Sequence, residues 1–184
     1  MVDRASTFQD LVLRHLPSLH NYARLLAHHA DEADDLLQEG LLRAFARFEA
    51  FDPNLSFKPW MFTILKHAHI DRHRRRAVRE GDGQGVPALN DPLSTIPVTP
   101  EEILARREIV ENVREAIRGL PAYFREIVEL RDLEGLSYQE IADVVGRPVG
   151  TVMSRLYRGR NLLRTYLIER RHPSERAAEV SHGL

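Results

Sequence analysis

Leu136-Ser-Tyr-Gln-Glu-Ile-Ala-Asp-Val-Val-Gly-Arg-Pro-Val-Gly-Thr-Val-Met-Ser-Arg-Leu-Tyr-Arg-Gly-Arg160 joins two helix starts through one enforced turn. Ser137 and Glu140 stand at the spacing of a capping box: the serine hydroxyl takes the amide three residues on, and the glutamate reaches back to the serine amide. Gly146 suits a left-handed stop, and Arg147-Pro148 prevents the helix from continuing. A second helix is expected from about Val149 to Ile168. Helices joined so tightly cross closely. Ala142 and Gly146 are the small residues expected at the approach, and Ile141, Val145, Val149, Val152 and Leu156 the apolar seam, which is the grammar of a helix-turn-helix. At helical spacing Val149, Val152, Leu156, Gly159 and Leu163 share one face of the second helix, while Gly150, Met153, Ser154, Tyr157, Arg158 and Asn161 share another. That second face reads as DNA-facing. A solvated charged face would explain Arg155, Arg158, Arg160 and Arg164, but not a box, a turn, a seam and a basic face in mutual register.

Upstream of this stretch the chain breaks at Glu134-Gly135, is helical over Ala122–Leu133, breaks at Gly119-Leu-Pro121, and is helical back to Ile103. Thr99-Pro-Glu-Glu102 opens that helix, with Thr99 as cap, Pro100 in the first turn and Glu102 reaching back. Before it, Gly81 to Pro100 holds Gly-Asp-Gly-Gln-Gly and four prolines with no period, the composition of a flexible linker. The N-terminal part is again helical. Phe8, Leu11, Val12, Leu16, Leu19, Tyr22, Ala23 and Leu26 recur at three-to-four spacing, with Pro17 expected to end or kink the helix. Leu36, Leu37, Leu41, Ala44, Phe45 and Phe48 stripe a second helix over Ala33–Phe48. A turn-rich break from Phe51 to Phe57 precedes a third from Trp60 to about Arg76, with Trp60, Phe62, Ile64, Leu65, Ala68 and Ile70 available for packing. The fold expected is all-α: two small helical domains, residues 1–79 and 100–172, a flexible linker over 80–99 and a tail over 173–184, the second domain a helix-turn-helix.

Composition excludes more than it selects. The chain has 184 residues, 43% of them apolar, enough for buried cores, and a formal net charge of -1 that hides strong local fields. Ala30–Leu42 carries Asp31, Glu32, Asp34, Asp35 and Glu39 with no Lys or Arg, whereas Lys66–Arg79 and Arg147–Arg171 are basic. With no Cys, disulfides, thiolate chemistry and thiol-based zinc sites drop out. No signal-peptide core follows Asp3 and Arg4, and no membrane span is present, so the cytoplasm is the expected location. No nucleophile elbow, phosphate loop or carboxylate pair appears, and the expectation is no enzyme, no small-molecule substrate and no cofactor. His67, His69, His73 and Asp71 could be read as a metal site, but Lys66, Arg72, Arg74, Arg75 and Arg76 around them repel a cation and attract phosphate, so no metal is expected.

Leu133 to Arg160 resembles the promoter-reading domain of extracytoplasmic-function sigma factors of bacterial RNA polymerase. Asp34-Asp-Leu-Leu-Gln-Glu-Gly-Leu-Leu-Arg-Ala-Phe45 and Phe57-Lys-Pro-Trp-Met-Phe-Thr-Ile-Leu-Lys-His-Ala-His-Ile-Asp-Arg-His-Arg-Arg-Arg76 are similar to the same family's polymerase-binding and promoter-melting segments, in the same order. The resemblance implies core RNA polymerase and promoter DNA as partners, an anti-sigma factor as a third, and control of a stress or envelope response. It places Asp35, Gln38 and Glu39, on one helix face, against the polymerase clamp. It places Asn54, Lys58, Trp60 and His67 nearest the opened minus-ten bases, Arg72, Arg74, Arg75 and Arg76 on phosphates, and His67 where many relatives have Asn. In the helix from Val149, Ser154 and Arg158 are the residues for minus-thirty-five base edges, Met153 and Tyr157 for apolar or edge contacts, and Thr151, Arg155 and Arg160 for phosphates. Trp60 reads equally well as a core aromatic and as a ring flanking an unpaired base, whereas Phe62 reads as core. An ordinary helix-turn-helix repressor or response-type regulator and a nucleic-acid enzyme using the histidines are the competing classes. A repressor needs no second DNA-facing region upstream, nor an acidic helix beside it.

Overall fold

The computed structural model describes residues 4–27, 29–80 and 110–171, and every regular element among them is helical. In chain order these are α1 (Arg4–Leu26), α2 (Ala30–Arg47), a 3-10 turn (Phe48–Ala50), α3 (Phe57–Glu80), α4 (110–118), α5 (Ala122–Val128) continued by a π-turn (Glu129–Leu133), α6 (Tyr138–Val145) and α7 (Val149–Arg171). The expected linker beyond Glu80, the Thr99-Pro-Glu-Glu102 helix start and the tail at 173–184 lie outside the described residues. By their contacts the helices form two units: α1, α2, α3 and α6 in one, α4, α5 and α7 in the other.

In the first unit the core is drawn from one stripe on each long helix. Leu19, Tyr22, Ala23 and Leu26 of α1 are buried with Ala33, Leu36, Leu37 and Ala44 of α2 and Met61, Phe62, Ile64, Leu65 and Ala68 of α3. Burying each large side chain among these is worth about 1.5–3 kcal/mol. Phe62 is core, as expected, its ring centroid 4.5 Å from that of Tyr22. Pro17 does not end α1, which runs through it; Phe8 before the proline and Leu19, Tyr22, Ala23 and Leu26 after it are buried. The α2 stripe differs from expectation. Phe45 is exposed, and the buried position on that face is Gly40, where a Cβ would stand 2.4 Å from Leu65 Cδ2, so α2 and α3 approach through a missing side chain. α3 starts at Phe57, three residues earlier than the sequence suggested. Pro59 then lies in the first turn, where no amide needs an intrahelical acceptor. α6 packs against α3, and Leu136, Ile141, Ala142 and Val144 are buried.

The second unit is built around α5 and α7. Ala116, Ile117, Leu120, Phe124, Ile127, Val128 and Leu130 are buried, as are Val152 and Leu156 of α7. Gly159 lets α7 close on α5, since a Cβ there would meet Val128 Cγ2 at 2.9 Å. Arg125 donates to the carbonyls of Arg118 and Leu120, satisfying the end of α4. The π-turn closes with the Glu134 amide on the Glu129 carbonyl at 3.0 Å, and Gly135 leaves it at φ 73°.

Burial pushes the Glu129 carboxyl up to about 7, Arg125 opposing and Glu134 and Glu126 adding to the rise. A carboxyl whose folded pKa is raised favours the fold below its unfolded pKa and loses that advantage as pH rises through the folded value. Glu129→Gln should therefore stabilise the protein by up to about 3 kcal/mol at pH 8 and by little at pH 4, measured by urea unfolding at the two pH values. Equal midpoints for the two proteins at pH 8 would show a solvated carboxylate.

Candidate functional site

α2 and α3 bring an acidic and a basic segment face to face. Arg43 bridges Glu39 on its own helix, at 2.6 Å, and Asp71 on α3, at 2.7 Å. Glu39 also receives Arg75 at 3.0 Å and Arg72 at 3.4 Å, while Arg76 pairs with Glu32 at 2.7 Å and Arg72 reaches the Glu32 carbonyl. Burial works to raise the Glu39 pKa, but the hydrogen bonds and charges of Arg75 and Arg43 hold it below the ordinary glutamate range. Arg43 is raised chiefly by its bond to Asp71, and Asp71 is lowered chiefly by the same bond. Of the three residues expected to dock, Asp35 and Gln38 are exposed, whereas the Glu39 side chain is only 25% exposed and turned into this lattice. Of the expected phosphate ligands, Arg72, Arg75 and Arg76 are ion-paired and Arg74 is exposed; His67, two turns before Arg74 on the same side of α3, is exposed as well. The rings of His69 and His73 lie edge to face at 4.4 Å; among the described residues no three His, Cys, Asp or Glu side chains gather as a metal site would require.

The loop entering α3 is held by rings. Trp60 is half-buried, with centroids 4.8 Å from Phe51, 5.7 Å from Phe57 and 6.4 Å from Phe48. Phe8 of α1 meets Phe45, Phe48 and Phe57 edge to face, which ties the loop to both neighbouring helices. The sequence signal for this cluster is the i, i+3 spacing of Phe45, Phe48 and Phe51, and of Phe57 and Trp60. Asn54 is exposed at the tip, its backbone and side-chain amides both 2.9 Å from Asp52 Oδ1, and Lys58 is half-buried.

At α6 the expected box is closed: the Glu140 amide donates to Ser137 Oγ at 3.2 Å, and the Ser137 amide to Glu140 Oε2 at 2.7 Å. Burial would raise the Glu140 pKa, yet Ser137, Ser56 and Lys58 together hold it below the ordinary range. Gly146 serves as the left-handed cap at φ 62°, not as a point of close approach: a Cβ there meets nothing within 4 Å. Val144, not Val145, is the buried valine of α6; Val145 is half-buried. On α7, Met153, Ser154, Tyr157 and Arg158 are exposed along one face, opposite the buried Val152, Leu156 and Gly159. Thr151 and Arg155 are half-buried, with Ser154 Oγ bonded to the Thr151 carbonyl at 3.0 Å. Two of the expected phosphate ligands have protein partners that the sequence reading missed: Arg155 lies over the Tyr123 ring and Arg160 makes a two-point bond to Asp132.

Comparison with known proteins finds the family model Sigma-70 region 2 over residues 11–79 and Sigma-70, region 4 over residues 110–163. The chain is 37% identical to the ECF RNA polymerase sigma factor EcfG of Rhodopseudomonas palustris, over 88% of this chain and 85% of that protein. It is 34% identical to the ECF RNA polymerase sigma factor SigE of Mycolicibacterium smegmatis, over 93% of this chain but only 65% of that longer protein. Among solved structures it is similar to the sigma factor RpoE in complex with the anti-sigma factor NepR from Bartonella quintana, with a TM-score of 0.70 at 29% identity, covering 88% of this chain and 96% of that one. It is also similar to CnrH in complex with the cytosolic domain of CnrY, with a TM-score of 0.60 at 26% identity, covering 89% and 88%.

The lattice between α2 and α3 makes its own prediction. Arg43→Ala removes the bridge between Glu39 and Asp71 and should cost about 1 kcal/mol at pH 7, since the groups are partly exposed and solvent screens them. Both acids have lowered pKa values, so their contribution is present above the unfolded pKa and lost as pH falls through the folded one. The gap between wild-type and Arg43→Ala urea midpoints should shrink as pH drops below about 4. A gap that stays constant with pH would mean that Arg43 acts through packing alone.

Proposed function

The chain belongs to the extracytoplasmic-function (ECF) RNA polymerase sigma factors, and from that membership we propose how its surfaces divide promoter recognition between them. The protein binds core RNA polymerase and directs it to promoters, acting as a recognition subunit without chemistry of its own, in the cytoplasm. The functional division follows the chain: residues 1–79 dock on polymerase and take the minus-ten region, 80–99 link, and 100–172 read the minus-thirty-five element.

Asp35 and Gln38 meet the polymerase clamp directly, while Glu39 keeps the docking face attached to α3. Asn54, Lys58, Trp60 and His67 stand nearest the opened minus-ten strand, with Trp60 backed by its cluster. Arg74 makes the first phosphate contact. Arg72, Arg75 and Arg76 exchange carboxylate for phosphate when they join it, so each contributes less net charge transfer than an exposed arginine. Ser154 and Arg158 read duplex base edges from α7, Met153 and Tyr157 contact apolar or edge groups, and Thr151, Arg155 and Arg160 lie on phosphates. An anti-sigma factor is the expected regulator, as the complexes of RpoE with NepR and CnrH with CnrY illustrate for those proteins. Release from it switches on a stress or envelope response.

One observation carries this reading: an exposed α7 face of Met153, Ser154, Tyr157 and Arg158 without an acid, directly after a closed capping box and a left-handed glycine. Arg158 decides it. An arginine held bidentate to guanine gives about 1–3 kcal/mol of discrimination, whereas one on phosphate gives almost none. With reconstituted holoenzyme on a panel of single-base minus-thirty-five variants, Arg158→Ala should relax preference at one position. Equal weakening on every variant would move Arg158 to the phosphates.

A further inference from the structure

Arg155 and Arg160 sit on opposite borders of the buried stripe of α7. Five residues at 100° each separate them by about 140° around the helix, with Val152, Leu156 and Gly159 between. Each is held by a residue of the segment beneath. The Arg155 guanidinium carbon lies 5.5 Å from the centroid of the Tyr123 ring, at the start of α5, and that ring is itself fixed against Phe124 at 4.3 Å. Arg160 bonds Asp132 side-on, Nε to Oδ2 at 3.0 Å and Nη2 to Oδ1, and Asp132 belongs to the π-turn that continues α5. Neither partner hides its arginine from an acceptor. A ring face leaves the in-plane N–H groups of a guanidinium pointing outward, and a carboxylate that takes Nε and Nη2 engages two of five donors while fixing the plane of the rest. A helix about 10–12 Å across fits a major groove about 12 Å wide, so with the face of Ser154 and Arg158 on the base edges its two borders face the two phosphate strands.

We propose that Tyr123 and Asp132 are positioning residues for promoter binding, which hold Arg155 and Arg160 in place for the phosphates on either side of the groove. The π-turn gives this a structural cause: its extra residue sets the phase in which Asp132 meets Arg160. Prepaying the rotamer entropy of two long side chains strengthens binding without adding a base contact. The proposal rests on the reading of α7 as the duplex-reading helix.

The test is a double-mutant cycle in the full chain assembled with core polymerase, measuring affinity for a duplex minus-thirty-five element and its dependence on salt. Asp132→Ala should weaken binding about 3- to 10-fold, by the same factor on every base variant, and should lower the log-log salt slope toward that of Arg160→Ala. The pair Asp132→Ala with Arg160→Ala should be no weaker than Arg160→Ala alone. Asp132→Asn, which keeps the shape and one acceptor, should lose less than Asp132→Ala. Tyr123→Phe should bind like wild type and Tyr123→Leu like Arg155→Ala, because the ring face and not the hydroxyl does the holding. If Asp132→Ala bound equally or more tightly, its carboxylate would be merely repelling DNA and the positioning role would be overturned; additive losses in the pair would overturn it too. A wild-type holoenzyme indifferent to the minus-thirty-five sequence would instead overturn the reading of α7 itself.

Discussion

The Glu39 carboxylate lies between Arg43 of its own helix and Arg72 and Arg75 of α3, and Arg43 carries the connection on to Asp71. Segments of opposite charge are thereby packed side by side. Gly40 makes this geometry reachable. Its missing side chain lets α2 close on Leu65, which brings guanidinium groups on α3 within reach of carboxylates on α2. A half-buried carboxylate without those partners would be costly, so packing and ion pairing are one constraint.

That constraint makes the acidic face of α2 and the basic face of α3 parts of a single piece. The aromatic cluster extends it into the loop before α3, where Phe8, Phe48, Phe51, Phe57 and Trp60 hold the backbone around Asn54. A loop so fastened keeps little conformational freedom.

The second unit reaches the same end differently. Its face is one helix, and preorganisation comes from below: Phe124 and Val128 close on Gly159, while Tyr123 and Asp132 reach up to arginines on either border. Glu129 adds a polar group that burial keeps near neutrality in its protonation, within the turn that orients Asp132.

Local chemistry was legible because its signals span three or four residues. The capping box of Ser137 and Glu140, the stop at Gly146, the turn at Pro148 and the exposed face of α7 all follow from i, i+3 and i+4 spacing, and the structure places them as the sequence implied. Where local signals were soft, the details shifted: Pro17 did not break α1, α3 began at Phe57, and Val144 replaced Val145 in the core. The ion pairs between elements were not legible. Arg43 with Asp71 and Arg160 with Asp132 each span 28 residues, and a charged residue carries no mark of which distant opposite charge it will meet. Sequence could therefore say which arginines face outward along a helix. Only the packing of one helix on another decided which of them are already held by carboxylates and rings, because a side chain's partner depends on distances that exist only after the cores have closed.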